Sequence, residues 1–529
     1  MGECGGVGVV TRVANVLLKE ECGTIAALIA AHARERPAAA ALIQDGHRLD
    51  YAGLDHLMNR VAAAMQRDGL SPGDIIAVCA KTSVAYAAVF LGALRAGVAI
   101  APLAPSSTPQ SIASMVADCD AKLLFLDETV ARALATVELP AQVERVALDG
   151  SANGQSLETW LAPTDAAPTP VRLDPERAFN IIYSSGTTGE PKGIVHSYAM
   201  RWLQLTRANA VGYDAVSVTI VSTPLYSNTT LVSFLPTLGH GGTVVLMEKF
   251  DAVGFLQLAE RHRATHAMLV PVQYRRIMAV PDFDRYDLAS FVMKLSTSAP
   301  FAADVKADVL KRWPGGLVEY YGLTEGGGSC VLVAHLHSDK LHTVGQPSPG
   351  HDIRLIDETG EEVPNGGIGE IVGHSAAIMN GYYKRPERTA EAEWRDASGK
   401  RFIRSGDVGR FDADGFLILM DRKKDMIISG GFNIYPSDLE AVLAKHEAIA
   451  EAAVVGVASN QWGETPVAFV VLKAGSRQSA EEVRDWLNGQ VGKTQRLSGV
   501  EIVPALPRSA IGKVLKRELR DRFGRGRVA

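Results

Sequence analysis

Apolar residues recur along the chain at two spacings, and the two alternate. In Thr24-Ile-Ala-Ala-Leu-Ile-Ala-Ala-His32 they fall three and four apart, as on one face of a helix. Asp74-Ile-Ile-Ala-Val-Cys79 is instead a short unbroken apolar run after the turn Ser71-Pro72-Gly73, which predicts a buried strand. A helix over 88–97, closed by Gly97, and a strand over 98–102 repeat the pair. Strands at 216–221, 242–247 and 266–270 and a helix at 250–260 continue the alternation, which predicts βα units on parallel sheets. From Gly350 the style changes. Short strands with turns at Asn365-Gly366-Gly367 and Asp412-Ala-Asp-Gly415 predict a small β-rich part. After about residue 424 comes a compact α+β unit: a helix at 436–445, strands at 451–456 and 467–472, and helices near 479–490 and 513–523.

The expected fold is therefore α/β. A large N-terminal domain, 1–423, would hold two parallel-sheet α/β subdomains (about 1–170 and 171–345) and a β-rich subdomain (346–423), before a small α+β C-terminal domain, 424–529. Residues 151–170, rich in Ala, Pro, Thr and Asp, read as a connector. Composition narrows the function classes. Charged residues make up 21% and the net charge is −5, so there is no basic footprint and nucleic acid is not an expected partner. Five cysteines without a Cys-x-x-Cys pair argue against a disulfide framework or zinc site. The longest apolar region, 84–103, is broken by Arg95 and predicts a buried helix and strand, not a membrane span. With no secretory signal pattern at the N-terminus, the expected location is cytoplasmic. Oligomeric state, monomer or homodimer, stays open.

The candidate chemistry begins at Tyr183-Ser-Ser-Gly-Thr-Thr-Gly-Glu-Pro-Lys-Gly193. Ser184, Ser185, Gly186, Thr187, Thr188 and Gly189 come after a strand-like Ile-Ile-Tyr and make a loop whose backbone N–H groups and hydroxyls suit phosphate oxygens. Lys192 adds a mobile cation for the same anion. The spacing is not the Walker pattern, because six residues separate Gly186 from Gly193 and no Gly-Lys-Ser/Thr occurs. The plain alternative is a polar turn between strand and helix. A second group, Tyr320-Tyr321-Gly322-Leu323-Thr324-Glu325, ends a strand-like run, where parallel sheets place ligands. A tyrosine face can stack a purine, a threonine hydroxyl can bind phosphate, and Glu325 can hold Mg²⁺ while phosphates and water complete its shell.

These stretches resemble the motifs of the adenylate-forming acyl-CoA synthetase superfamily, in order. The resemblance continues through Ser405-Gly-Asp407, the long Asp421-Arg-Lys-Lys-Asp425 to Pro436 stretch and Leu506-Pro-Arg-Ser-Ala-Ile-Gly-Lys513, covering about residues 24–522. It implies that Asp407 accepts both ribose hydroxyls, that Arg422 reaches ribose or phosphate, and that Lys424 is the pivot of a mobile C-terminal lid. Gly430 and Gly431 would line the thiol tunnel. Lys513 would bridge the attacking carboxylate and the α-phosphate, with Thr188 and Glu325 as further catalytic residues. Ser298, Ala299 and Pro300 fall on the nucleotide side, and Trp462 and Arg496 near the CoA nucleotide.

The style is closest to stand-alone aryl- and acyl-CoA ligases, with ATP, Mg²⁺ and coenzyme A as the implied cofactors and a small carboxylic acid as substrate. Three departures stand out. Lys493-Thr-Gln-Arg-Leu replaces the family's Lys-x-x-Pro run at the CoA site. Ser227, after Pro224-Leu225-Tyr226, replaces a gating histidine and removes a titratable group from the pocket wall. Thr297 stands where relatives have glycine and is expected to narrow the acyl pocket, which Tyr226, Gly322 and Gly326 would also line. The expected substrate is an aromatic acid of cinnamate or benzoate type. A medium- or long-chain fatty acid, or an acyl-adenylate ligase loading a carrier protein, remains the alternative. A peptide-synthetase adenylation domain, a luciferase-like oxygenase and a non-catalytic nucleotide binder share the scaffold. The joint presence of Lys192, Glu325, Asp407 and Lys513 argues against the last of these.

Overall fold

Strand Ile75–Cys79 is buried at every position, as an unbroken apolar run requires of a parallel strand covered on both faces. The computed structural model describes residues 13–151, 154–184, 192–422, 425–429, 432–459, 462–509 and 512–525. In it this strand lies parallel to Ala99–Pro102 on one side and Leu123–Leu126 on the other. They belong to an eight-stranded sheet that ends in an antiparallel pair, Lys192–Ser197 and Gly381–Tyr382. A nine-stranded sheet runs parallel through Val218–Val221, His266–Leu269, Met293–Ser296 and Gly316–Gly322, then turns antiparallel at Ser329–Val333.

The chain crosses between these sheets on either side of residue 170. Ala40–Gln44 and His47–Asp50 join the nine-stranded sheet, while Ala178–Ser184 and Lys192–Ser197 join the eight-stranded one. Helices Ile25–Glu35, Tyr51–Arg67, Val84–Arg95 and Asn228–Gly239 contribute to a single apolar core shared by both sheets. Val84–Arg95 begins four residues before the pattern suggested. It is buried almost all round, so no polar face marks its start, and the Ser83 hydroxyl caps it by accepting from the Tyr86 N–H. A five-stranded antiparallel sheet between Asp352–Ile356 and Leu417–Arg422 forms the β-rich part. Another five-stranded sheet, built on the long hairpin Ile449–Ser459 and Gly463–Leu472, forms the C-terminal unit with helices Pro436–Leu443, Ala480–Gln490 and Lys516–Arg525. Among the described residues no helix is long and apolar enough to cross a membrane.

One buried ion pair braces the strand that leads to the site. Lys306 and Glu319 meet with both side chains almost fully enclosed, and Lys306 Nζ also donates to the carbonyls of Leu341 at 2.8 Å and Thr343 at 3.1 Å. Burial pushes the Glu319 carboxyl up and the Lys306 ammonium pulls it down. Removing one partner strands the other charge in an apolar interior. Lys306→Met should therefore destabilise the fold by roughly 3–5 kcal/mol, seen as a large fall in Tm; an unchanged Tm would contradict this.

Three histidines, two buried and one half-buried, donate a single ring N–H each: His32 Nε2 to the Gly239 carbonyl at 2.8 Å, the half-buried His240 Nε2 to Leu205 at 3.2 Å and His266 Nε2 to Val211 at 3.0 Å. Burial lowers all three pKa values. Below about pH 6.5 the unfolded chain takes up protons that the folded one refuses. Stability should therefore fall as the pH drops from about 7 toward 5. A thermal midpoint that stays flat or rises over that range would refute the assignment.

Candidate active site

Gly316–Gly322 carries Tyr320, Tyr321 and Gly322 to its carboxyl end, and Leu323-Thr324-Glu325-Gly326 continues as a loop fixed from two sides. The Glu325 carbonyl accepts from the Met379 N–H at 2.9 Å, and Gly327 N–H donates to Ala377 at 3.1 Å. Gly326 has φ +72°, and a Cβ there would lie 2.1 Å from the Ala377 carbonyl oxygen, so only glycine fits this approach. The Glu325 side chain is held by the Tyr382 hydroxyl, which donates to Oε1 at 2.8 Å. Lys192 Nζ lies 5.3 Å from the centre of the Tyr382 ring, a cation–π distance. Tyr382 was not among the expected residues, and nothing in Asn380-Gly-Tyr-Tyr383 marks it out in the sequence.

Behind the loop sits a buried polar network that the sequence motifs do not announce. Arg201 Nη2 donates to His196 Nδ1 at 2.8 Å, so the ring proton lies on Nε2, which donates to the Thr324 carbonyl at 2.7 Å. Arg201 Nε donates to Asn180 Oδ1 at 2.9 Å. Burial first, and Arg201 second, keep His196 uncharged. Arg201 is itself enclosed, and burial lowers it to about 9, so it stays charged at neutral pH with no carboxylate beside it among the described residues. Asn180 inside an apolar strand, and His196 four residues past Lys192, were the available signals.

On the next side of the site, Tyr321 donates its hydroxyl to Asp407 Oδ2 at 2.9 Å, and Asp407 N–H donates to Ser405 Oγ at 3.0 Å. The ribose-binding candidate is thus tied to the strand-end tyrosine. Ser298 takes φ +83°, a strained conformation for a residue with a side chain, and its hydroxyl lies 2.6 Å from that of Thr229. Ser227 is buried and begins helix Asn228–Gly239 without a side-chain cap.

Lys513 comes from the other domain. Its turn is closed by the Ser509 N–H donating to the Lys513 carbonyl and the Gly512 N–H to the Ser509 carbonyl, both at 2.8 Å. Arg508 braces it, donating to the Gly512 carbonyl at 2.7 Å and to Glu451 Oε2 at 2.8 Å. Gly512 has φ +79°, and a Cβ there would stand 2.4 Å from Val272 Cγ1 on helix Pro271–Met278. The turn therefore docks on the N-terminal part. One cleft of about 2910 Å³ is shared by Lys192, Tyr226, Ser227, Thr297, Ser298, Tyr320, Tyr321, Gly322, Thr324, Glu325, Gly326 and Lys513, while Asp407 lies next to its lining residues Ser405 and Gly406 without lining it.

Other expected residues fall elsewhere. Ala299 and Pro300 do not line the cleft, and neither do Trp462 and Arg496, which are exposed on the C-terminal unit. Ser185, Gly186, Thr187, Thr188, Gly189, Lys424, Gly430 and Gly431 lie outside the described residues, as do the side chains of Ser184 and Arg422. The element after the first loop is an antiparallel strand, Lys192–Ser197, and not a helix.

The AMP-binding enzyme family model matches residues 29–383, and the model of its C-terminal domain matches 438–513. The chain belongs to the AMP-binding enzyme family. It is an adenylate-forming ligase by that membership. A feruloyl-CoA synthase of Amycolatopsis is 34% identical over 502 residues, spanning 93% of this chain and 97% of that protein. The fatty acid–[acyl-carrier-protein] ligase ScoC of Streptomyces coeruleorubidus is 30% identical over 93% of this chain and 95% of its own length. Among solved structures, ATP-bound MatB from Rhodopseudomonas palustris superposes with a TM-score of 0.82 at 29% identity, over 94% of this chain and 99% of that one.

For an AMP-binding enzyme the His196 bond has a checkable consequence. His196→Leu removes the donor to the Thr324 carbonyl and loosens the loop that presents Thr324 and Glu325. The KM for ATP in pyrophosphate exchange should rise about fivefold, the worth of one buried hydrogen bond. The KM for the acid should stay put, and equal rises in both would contradict a role confined to this loop.

Proposed function

We propose that this protein is an ATP-dependent carboxylate–CoA ligase acting on an aromatic acid of cinnamate or benzoate type. The acid's carboxylate attacks the α-phosphate of ATP, giving an acyl-adenylate and pyrophosphate. The thiol of CoA then attacks the acyl carbon and AMP leaves. The observation that carries the reading is the docked turn, where Lys513 enters the same cleft as Tyr320, Glu325 and Lys192. A cation there offsets negative charge that builds as the carboxylate meets the phosphate. Asp407, held by Tyr321, is the proposed ribose acceptor, and the loop 184–189 with Lys192 the proposed phosphate cradle. The aromatic preference is supported by the feruloyl-CoA synthase at 34% identity.

Glu325 suits Mg²⁺. One oxygen is taken by Tyr382, the other is left for a cation, and no group of three or more His, Cys, Asp or Glu forms a protein-only metal cage among the described residues. Mg²⁺ bound through one carboxylate and nucleotide phosphates matches that donor set and would neutralise phosphate charge. We place the domain boundary at 423/424, with Lys424 as pivot. In the arrangement seen, Trp462 and Arg496 are exposed and outside the cleft. Rotation of residues 424–529 would withdraw Lys513 and bring CoA, held near Trp462 and Arg496, past Gly430 and Gly431. A cytoplasmic enzyme fits this substrate set. A second reading, transfer to a carrier protein in place of CoA, is favoured only by the resemblance to the carrier-protein ligase.

Lys513→Ala separates the half-reactions. Pyrophosphate formation should fall by roughly 10²–10³, the cost of losing one transition-state cation or donor. Thiolysis of supplied acyl-adenylate by CoA should stay within about tenfold of normal. An equal loss in both steps would remove Lys513 from the adenylation role.

A further inference from the structure

At one wall of the cleft His351 lies between Ser329 and Arg207. Its Nδ1 is 2.9 Å from the Ser329 N–H and 3.1 Å from the Ser329 hydroxyl. Its Nε2 lies 2.6 Å from Nη1 of the exposed Arg207. Burial, with Arg207 and His374 beside it, lowers the His351 pKa to about 4, so the ring is neutral at pH 7. Among the described residues Arg207 makes no ion pair.

The surroundings add donors and positive charge. Gln204 stands one turn before Arg207 on helix Tyr198–Arg207, and its Oε1 is occupied by Arg201 Nη1 at 2.9 Å. Its amide N–H₂ is left without an acceptor among the described residues. Arg201, one turn earlier still, is the buried guanidinium with no carboxylate partner among them. Gln204, Arg207 and His351 all line the cleft that holds Lys513 and Glu325. Ala208 and Val211, just past Arg207, pack in the apolar cluster of Leu295, Val318 and Val331, residues that also line the cleft. The turn that aims His351 is fixed by its own N–H donating to the Ser348 carbonyl at 2.9 Å.

We propose that Arg207, His351 and Gln204 form an anchor for an oxyanion on the acid substrate, distinct from the carboxylate that is activated. An acceptor placed among them receives two or three donors, one from a cation. The inference rests on the ligase reading and narrows it. The preferred aromatic acid carries a second oxygen function on its ring, a phenolate or a second carboxylate. The same apolar wall without this anchor would favour an unsubstituted ring.

The test is ATP–pyrophosphate exchange at saturating ATP with cinnamate, 4-hydroxycinnamate and 4-carboxycinnamate, in the full-length protein and in Arg207→Met and His351→Leu. The expected result is a kcat/KM for one substituted acid roughly tenfold to hundredfold above cinnamate. The acid that gains identifies phenolate or carboxylate as the group. In Arg207→Met that ratio should fall to within about threefold of unity, and in His351→Leu it should fall part of the way. Cinnamate exchange with no gain for either substituent overturns the anchor and leaves the ligase reading intact. So does an Arg207→Met variant that loses all three acids in equal proportion. No exchange with any acid overturns both.

Discussion

The site depends on one close approach. Gly512 brings the backbone of the Lys513 turn against Val272, at a separation where any side chain would collide. The cation at this position comes from the C-terminal unit, so the cleft is complete only while the contact holds. The contact is small and made by a turn. The braces that keep the turn rigid, Arg508 to Gly512 and to Glu451, lie within the C-terminal unit.

The N-terminal half answers with rigidity. Glu325 is set by Tyr382 in front and by Met379 behind, and Thr324 by a neutral histidine whose tautomer is dictated by a buried arginine. A few degrees of freedom are removed at each step, which leaves a preorganised surface. Polar groups buried this deeply would be costly unless fully bonded, and His196, Asn180 and Arg201 satisfy one another.

Much of this was legible in the chain. The alternating apolar spacings gave the parallel strands to within a residue or two, because Ile75–Cys79 and its neighbours are buried on both faces and carry no polar interruption. The pairing of strands across residue 170 was not legible, since strand order depends on long-range packing that local pattern does not encode. Tyr320, Tyr321, Gly322, Thr324, Glu325 and Lys513 converge as their motifs implied. Tyr382, His196 and His351 escaped notice because each meets a partner distant in sequence. Their contacts depend on which nitrogen or hydroxyl meets which loop, and no spacing rule carries that. Trp462 and Arg496 were singled out by resemblance, and in this arrangement they belong to a surface away from the cleft.

On the proposed reading, one cleft activates a carboxylate with ATP and then passes the acyl group to CoA. The direct measurement is ATP-dependent pyrophosphate release over benzoates, cinnamates and fatty acids, each with and without CoA. Sustained turnover is expected only with CoA present, with the aromatic acids ahead of the fatty acids. Turnover indifferent to CoA, or confined to fatty acids, would contradict it.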